Sequence, residues 1–238
     1  MTQTSHSGKI VLVTGSRKGI GLALTNHFLD EGATVLGLSR QPSDINHVNY
    51  YHHLCDVRDA KEVRALFQQI AKKSALHILI NNSAVLDSQH SFMLTATSAE
   101  AMVTTNLLGP FFVSREAAKV MKRTRWGRII NIGSMAAELE PIGDSIYAAT
   151  KAGLVTMTNV LARELSPFGI TCNTVGVTAF ESDMLSQLPR AAVDTIIASL
   201  PIPRYAEPDD IFNVVDFFSS ERSAYITAQT IYLGGVHG

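Results

Sequence analysis

The chain has 238 residues, of which 46% are hydrophobic and 17% are charged, and its formal net charge is −1. This size and composition suit one compact α/β domain, which we expect to span residues 1–238. The balanced charge, without a basic stripe or block, excludes the usual signatures of proteins that bind nucleic acids or acidic membrane surfaces.

Short apolar runs alternate with helical patterns along the chain. The helical patterns predict helices at residues 19–30, from 59 to 72, from 98 to 108 and on to 123, at 145–165 and at 208–219. Asp59 is the predicted N-terminal cap of the second helix. Pro110 is expected to bend or restart the helix around it, and residues 180–200 have a mixed pattern. The apolar runs predict β-strands at residues 10–13, 34–38, 51–55, 77–80, 128–132, 170–175 and 230–233.

Continuously apolar strands that are separated by helices are typical of a parallel sheet covered on both faces. The sequence therefore predicts a single-domain, Rossmann-like three-layer α/β sandwich with a central, mostly parallel sheet of seven strands. Ligands of such sheets bind beyond the carboxyl ends of the strands. Residues that directly follow a strand are therefore the first candidates for binding and chemistry.

Other classes of site are not indicated by the sequence. No run of about 18 apolar residues and no apolar N-terminal segment occurs, so we expect no transmembrane helix and no secretory signal. Cys55 and Cys172 lie in apolar runs, where buried, reduced thiols of a cytoplasmic protein are expected. The eight histidines are scattered along the sequence, and His52-His53 has no cysteine or carboxylate partner at ligand spacing, so we expect no metal site.

A glycine-rich turn follows the first predicted strand. Gly15 permits a tight turn, Gly19 allows the backbone to approach a pyrophosphate, and Gly21 allows the next helix to pack closely on the strand. The N-terminus of that helix offers free N–H groups to a phosphate. The pattern predicts a dinucleotide site because it lies between a strand and a helix. Its expected cofactor-binding residues are Gly15, Ser16, Arg17, Lys18, Gly19, Ile20 and Gly21.

The end of the second strand distinguishes NAD from NADP. A carboxylate at this place would bind the ribose 2′-hydroxyl and repel a 2′-phosphate. The chain has Ser39 and Arg40 there, with Arg17 and Lys18 in the nearby loop. Charge-assisted hydrogen bonds of about 1.5–3 kcal/mol each would favour the phosphate, so the sequence predicts NADP(H). In the alternative interpretation, Arg17 and Arg40 are solvated surface charges.

Three residues form a candidate catalytic group. Ser134 follows the fifth predicted strand, and Tyr147 and Lys151 lie four residues apart on one helix. Reduction of a carbonyl by hydride creates an alkoxide that needs a proton, and an ammonium about 4 Å from a phenol would lower the tyrosine pKa by up to about 3. We therefore predict that Tyr147 is the general acid. Ser134 would hold the substrate oxygen, and Lys151 would also bind the nicotinamide ribose.

These motifs together resemble the single-domain short-chain dehydrogenase/reductases over nearly the whole chain. Within that family the sequence is most similar to the bacterial 3-oxoacyl-[acyl-carrier-protein] reductases. The resemblance implies that Asn106 seats a water of a proton relay and that Asp56 contacts adenine. It also implies that the cofactor is bound by Val57, Asn82, Ser83, Ala84, Val177, Phe180 and Ser182.

The sequence departs from the family pattern after the sixth strand. Val177-Thr178 stands where the family usually has Pro-Gly, so the nicotinamide pocket is expected to be looser or differently shaped. Arg128 matches a basic position with which relatives meet an acidic carrier protein, whereas Phe168 replaces the companion basic residue. The apolar residues between 180 and 200 are either a lid over an acyl chain or ordinary packing.

The sequence therefore predicts an NADPH-dependent reductase of a ketone, with a 3-oxoacyl thioester or a similar β-keto compound as substrate. One alternative is an alcohol dehydrogenase of a steroid, a sugar or a small secondary alcohol. An alternative of another class is a catalytically silent NADP-binding regulatory protein. The substrate is expected to be a small molecule or a carrier-bound acyl group. The apolar residues 225–236 are consistent with a homo-oligomer, either a tetramer or a dimer.

Overall fold

The computed structural model describes residues 6–188 and 190–236. The predicted domain limits at residues 1 and 238 lie outside this range. In chain order, the strands are β1 (Ile10–Thr14), β2 (Thr34–Ser39), β3 (Tyr50–Leu54), β4 (Ile78–Asn81), β5 (Gly127–Ile132), β6 (Ile170–Gly176) and β7 (Thr230–Tyr232). They form one sheet in the order β3-β2-β1-β4-β5-β6-β7, and every neighbouring pair is parallel.

The helices cover both faces of this sheet. They are α1 (Gly19–Asp30), α2 (Ala60–Lys73), α3 (Ala96–Val103), α4 (Gly109–Met121), α5 (Ala136–Leu139), α6 (Ser145–Leu165), α7 (Arg190–Ser199) and α8 (Pro208–Ser219). Residues of α2, α4 and α6 pack in one apolar cluster with Leu12, while α1 and α8 pack in another with Val11 and Val13. Successive residues of β1 thus point to opposite layers, and the predicted single-domain three-layer sandwich with seven strands is confirmed.

Local sequence signals account for several boundaries. Asp59 caps α2 by accepting hydrogen bonds from the backbone N–H groups of Lys61 and Glu62, at 2.7 and 3.1 Å. This confirms the predicted cap. The predicted thiols are also confirmed as free and buried, and burial raises the pKa of both Cys55 and Cys172 to about 12.

The region before Pro110 differs from the prediction. Residues Thr104–Leu108 form a π-helix between α3 and α4, whereas the sequence patterns predicted ordinary helix here. α4 continues directly from the π-helix and has Pro110 in its first turn, so the proline lies within a continuous helical stretch and lacks the N–H of one intrahelical bond. The widened turn directly precedes this proline, and it lies beside the candidate site described below.

The mixed pattern of residues 180–200 corresponds to a short 3-10 turn at Leu185–Gln187, followed by α7. Within the ranges that the structure describes, no helix has the length and apolar character that a membrane span needs.

Candidate active site

A cleft of about 640 Å³ lies beyond the carboxyl ends of the central strands. An open parallel sheet has its ligand-binding crevice at this edge. The crevice forms because the chain segment after β1 and the chain segment after β4 pass to opposite faces of the sheet. The cleft brings together most of the predicted site residues. Those in its wall are Gly15, Arg17, Lys18, Gly19, Ile20, Ser39, Arg40, Asp56, Val57, Asn82, Ser83, Ala84, Ser134, Tyr147, Lys151, Val177, Phe180 and Ser182.

The glycine loop has the geometry of a phosphate cradle. Gly15 and Gly19 adopt φ angles of +68° and +55°, which side chains other than glycine rarely adopt. A Cβ atom on Gly21 would lie 2.1 Å from the carbonyl oxygen of Gly15, so the helix start must be glycine. Lys18, the residue before α1, makes no capping bond with its side chain, so it does not compete with an anion for the first N–H groups of the helix. These residues fit the pyrophosphate of a dinucleotide.

Asn82 fastens this loop to the end of β4. Its Nδ2 donates to the carbonyl oxygens of Thr14 and Gly15, at 3.0 and 3.3 Å, and its backbone N–H donates to Thr14 Oγ1 at 2.9 Å. The backbone of Ser83 donates to the same hydroxyl at 3.0 Å. Asn82 therefore supports the loop, in addition to lining the cleft.

The adenosine end of the cleft contains one cation that the sequence analysis missed. Arg58 lines the cleft beside Asp56 and donates to both of its carboxylate oxygens, at 2.6–3.0 Å. This hydrogen-bonded guanidinium holds the pKa of Asp56 below its ordinary value. The spacing of two residues between Asp56 and Arg58 was the available signal. Across the mouth of the cleft, Lys18 Nζ lies 2.9 Å from Asp183 Oδ2.

Tyr147 and Lys151 lie deep in the cleft and are 8% and 3% exposed, respectively. The Ser134 hydroxyl is close enough to Tyr147 to lower the pKa of the phenol, and both line the cleft with Lys151, so the three predicted catalytic residues are adjacent. Lys151 Nζ donates to the carbonyl oxygen of Ile132 at 2.8 Å and lies 5.7 Å from the centre of the Tyr147 ring. The phenol and the ammonium therefore share one buried pocket at the ends of β5 and α6.

The pKa values of this pair correct the sequence-based argument. Burial raises the pKa of Tyr147 to about 12, the nearby Ser134 hydroxyl opposes this shift, and Asp144 adds to it. Burial also lowers the pKa of Lys151 to about 8. The prediction that Lys151 brings the tyrosine pKa below its ordinary value was wrong, because desolvation of the phenolate outweighs the attraction of an ammonium that is itself desolvated. The phenol is neutral near pH 7, which is the form that donates a proton.

Asn106 lies in the π-helix rather than in the cleft wall. Its Oδ1 accepts from the backbone N–H of Val85, and its Nδ2 donates to the Val85 carbonyl, both at 2.8 Å. The same Nδ2 reaches Thr150 Oγ1 at 3.3 Å, directly before Lys151. The side chain thus joins the segment after β4 to α6. Its predicted role in seating a water stays a prediction.

Two predicted residues lie elsewhere than expected. The Ser16 side chain is fully buried and contacts the Tyr50 hydroxyl at 3.2 Å instead of facing the cleft. Arg128 is 1% exposed, stacks on Trp126 and donates to the carbonyl oxygens of Gly127 and Ser220. Because the Arg128 guanidinium is enclosed at the start of β5, the prediction that it contacts a carrier protein was wrong.

The Val177-Thr178 segment keeps an ordinary backbone. Neither residue has a positive φ, so the family's glycine is not needed for this path. The Val177 carbonyl accepts from the backbone N–H of Met135 at 2.9 Å, and Gly133 donates in the same way to Val175 at 2.7 Å. These bonds continue the β5–β6 pairing into the cleft. They hold the part of the cleft wall formed by Val177-Thr178 in place, so this segment is not the loose one that the sequence led us to expect.

The fold also brings together histidines that are distant in sequence. His6 Nε2 and His27 Nε2 each lie 2.9 Å from Asp216 Oδ1. The three side chains offer a possible metal-ligand set that the sequence analysis did not predict, because they come from separate elements. Hydrogen bonds to one carboxylate account for the arrangement, which lies apart from the cleft.

Comparisons with known proteins agree with this geometry. The chain is 33% identical to the 3-oxoacyl-[acyl-carrier-protein] reductase FabG of Rickettsia conorii over 235 residues, which cover 96% of each chain. Its structure superposes with a TM-score of 0.91 on a protein of Agrobacterium tumefaciens provisionally assigned as a gluconate dehydrogenase, at 27% identity and 99% and 98% coverage. It also matches the ligand-free aldohexose dehydrogenase of Thermoplasma acidophilum, with a TM-score of 0.88, 25% identity and 98% and 95% coverage. Because residues 9–192 match the family model of the short chain dehydrogenases, the chain belongs to the short-chain dehydrogenase/reductase family of NAD(P)-dependent oxidoreductases.

Proposed function

We propose that the chain reduces a ketone at the expense of NADPH, and that the ketone is a 3-oxoacyl thioester or a similar β-keto compound. One observation carries this proposal: Ser134, Tyr147 and Lys151 line the same cleft as the glycine loop, and the phenol is buried and neutral. The identity to FabG of Rickettsia conorii supports the choice of a 3-oxoacyl substrate.

Each catalytic residue has a distinct task in this proposal. Bound NADPH supplies the hydride. Tyr147 Oη gives its proton to the substrate oxygen as negative charge develops there. Ser134 Oγ holds that oxygen within reach of the phenol. Lys151, fixed by its bond to the Ile132 carbonyl, binds the nicotinamide ribose. Asn106 completes the path that returns a proton to Tyr147.

The preference for NADPH rests on the charges at the adenosine end of the cleft. Arg17, Lys18 and Arg40 line this end, and β2 finishes with Ser39 instead of a carboxylate. A 2′-phosphate would therefore meet donors rather than a repelling charge. Asp56, the nearby carboxylate, is already neutralised by Arg58. The cleft wall supplies the remaining proposed cofactor contacts.

The far end of the cleft favours an apolar substrate chain. Leu86, Pro141, Met184, Leu188 and Ile196 line it, and such a surface gains free energy by covering methylene groups. The apolar residues after β6 thus act as a wall for an acyl chain in this proposal. Since Arg128 is enclosed, we propose that the acyl thioester is recognised through this wall and not through that arginine.

A second candidate substrate is a polyhydroxylated ketone or alcohol. Asp144 also lines the cleft, is 7% exposed, and its Oδ1 has no hydrogen-bond partner. This buried, unpaired oxygen is placed to accept a hydrogen bond from a substrate hydroxyl. The similarity to an aldohexose dehydrogenase supports this candidate.

A substrate panel separates these proposals. Consumption of NADPH and of NADH is followed with acetoacetyl-coenzyme A, longer 3-oxoacyl thioesters, 5-ketogluconate and a simple secondary ketone. We expect turnover with the thioesters and NADPH, rising with acyl length. Turnover confined to 5-ketogluconate would favour the second candidate. Tight NADPH binding without turnover of any ketone would contradict the enzymatic proposal and favour a regulatory protein.

We also propose that the chain forms a homo-oligomer. Val103, Leu108, Phe111 and Val160 are exposed apolar residues on α3, the π-helix, α4 and α6, and exposed apolar patches of this kind are typical of subunit contacts. Light scattering measures the mass directly. A monomer at micromolar concentration would contradict the proposal, and Phe111→Glu is expected to reduce the mass of a dimer or tetramer.

A further inference from the structure

A chain of hydrogen bonds, buried at Ser16 and exposed at Gln41, connects the glycine loop to the end of β2. Ser16 Oγ lies 3.2 Å from the Tyr50 hydroxyl, which lies 2.7 Å from His52 Nδ1. On the other side of the ring, His52 Nε2 lies 2.9 Å from the Gln41 carbonyl oxygen and 3.1 Å from Ser39 Oγ. Ser39 Oγ itself donates to the Gln41 carbonyl at 2.5 Å. None of these contacts has a part in the catalytic proposal above.

The chemistry of the end groups fixes the direction of every bond in this chain. The Gln41 carbonyl can only accept, so His52 Nε2 carries a proton and donates to it. In the neutral ring His52 Nδ1 is then an acceptor, and the Tyr50 hydroxyl donates to it. The Tyr50 oxygen consequently accepts from Ser16. The Nε2–H of His52 is shared between the Gln41 carbonyl and Ser39 Oγ, while Ser39 donates to the same carbonyl, so the contacts form a single connected network.

The fold makes room for this network at one position. Gly37 of β2 pairs in register with His52 of β3, and a Cβ atom on Gly37 would lie 2.1 Å from the Tyr50 hydroxyl oxygen. The Tyr50 ring therefore crosses directly over Gly37 to reach Ser16. A side chain at position 37 would displace the phenol from its hydrogen bonds.

We propose that Tyr50 and His52 are positioning residues that give the protein its selectivity for a cofactor with a 2′-phosphate. This inference rests on the proposed use of NADPH. His52 bonds to both neighbours of Arg40, and Tyr50 bonds to the neighbour of Arg17. The network therefore fixes the backbone on which both cations stand, and it holds them at one separation.

The rest of the dinucleotide site has other supports. Asn82 fastens the glycine loop at Thr14 and Gly15, and the Ile132 carbonyl fixes Lys151. Loss of the network should thus loosen the grip on the 2′-phosphate and leave the binding of the pyrophosphate and the nicotinamide ribose nearly unchanged. A general structural role would instead weaken both cofactors alike.

The test compares dissociation constants of NADPH and NADH for the wild type and for Tyr50→Phe, measured by fluorescence titration. The phenylalanine keeps the ring over Gly37 and removes only the hydroxyl, so Ser16 and His52 Nδ1 each lose a partner. We expect NADPH to bind about threefold to tenfold more weakly, with NADH changed by less than about twofold. The fragments 2′,5′-ADP and 5′-AMP should show the same difference by calorimetry, without any contribution from turnover.

Tyr51→Phe is the matched control. Tyr51 is the next residue of β3 and is 55% exposed, so its side chain lies on the opposite face of the strand from Tyr50. Removing its hydroxyl should leave both cofactors unaffected. His52→Phe should reproduce the Tyr50→Phe result, and the double variant should lose little more than the worse single variant, because both substitutions interrupt one network.

The outcomes separate this inference from the proposal on which it rests. A wild type that binds NADPH and NADH equally would overturn both. A wild type that prefers NADPH, with a Tyr50→Phe variant that prefers it as strongly, would overturn the positioning role alone. Equal weakening of the two cofactors would also overturn it, since a structural defect predicts that result. If circular dichroism shows that Tyr50→Phe is unfolded, the His52→Phe measurement decides by the same criteria.

Discussion

Lys151 is expected to destabilise the cofactor-free protein at neutral pH, and the effect can be measured. Its ammonium is 3% exposed, and burial lowers its pKa from 10.5 to about 8. Between these two values the unfolded chain binds a proton that the folded chain does not. Stability therefore rises with pH across this window, in proportion to the difference in bound protons.

The magnitude follows from the two pKa values. Each pKa unit corresponds to about 1.4 kcal/mol, so the folded protein carries a cost of about 3 kcal/mol at pH 7. Between about pH 7 and 9.5 the cost falls by about 2 kcal/mol. Lys151→Met removes the titrating group but keeps a side chain of similar length. The free energy of unfolding of the wild type, relative to this variant, should therefore rise by about 2 kcal/mol over that range.

Urea unfolding at closely spaced pH values measures this difference. Other titrating groups are shared by both proteins and cancel in the comparison. A difference between the two proteins that stays constant from about pH 7 to 9.5 would refute the argument, because it would mean that Lys151 keeps an ordinary pKa in the folded state. Lys151→Met should also lose turnover. The lysine would then lower the stability of the folded protein while being required for its activity.

The remaining predictions concern three other positions. Tyr147→Phe should lower kcat by about 10²- to 10⁴-fold and leave the Kd of NADPH nearly unchanged in fluorescence titration; retained turnover would exclude Tyr147 as the proton donor. Arg40→Ala should weaken NADPH by about tenfold, one charge-assisted hydrogen bond, and NADH hardly at all; equal weakening would contradict a 2′-phosphate contact. The third position is Asp216. Burial alone would raise the pKa of its carboxyl, but hydrogen bonds from His27 and His6 outweigh burial and hold that pKa at about 2. The ionised Asp216 carboxylate therefore stabilises the folded protein above about pH 4, and this contribution is lost as pH falls towards 2. After a discount for its partial exposure, Asp216→Asn should cost about 1 kcal/mol at pH 6 and nothing near pH 2. If Asp216→Asn lowers the free energy of unfolding by the same amount at pH 6 and near pH 2, this assignment is contradicted.

Much of the frame follows from local sequence signals. The bounds of α1, α6 and α8 agree with prediction because glycine, proline and polar residues mark their ends. The alternating strands and helices determined the parallel sheet. The glycine loop, Ser134, Tyr147 and Lys151 could be placed in one cleft, since all of them follow strands or lie on the helix that faces the strand ends.

Other features depend on contacts between distant segments. Pro110 marks a disturbed helix but not a π-helix at Thr104–Leu108, and Asn106 within it is held by Val85, about twenty residues earlier in the chain. The burial of Arg128 depends on Trp126 and on the carbonyl of Ser220. The raised pKa of Tyr147 depends on how completely water is excluded, which spacing along a helix does not reveal.

The close approach of Tyr50 to Gly37 has an evolutionary consequence. Any sequence that gains a side chain at position 37 must first have a smaller residue at position 50, because a Cβ atom on residue 37 would lie 2.1 Å from the Tyr50 hydroxyl oxygen. A substitution at position 37 or position 50 alone should then lower stability, whereas a larger residue at 37 combined with a smaller one at 50 should be tolerated. The two positions should covary, and changes at them should accumulate as coupled steps rather than as independent ones.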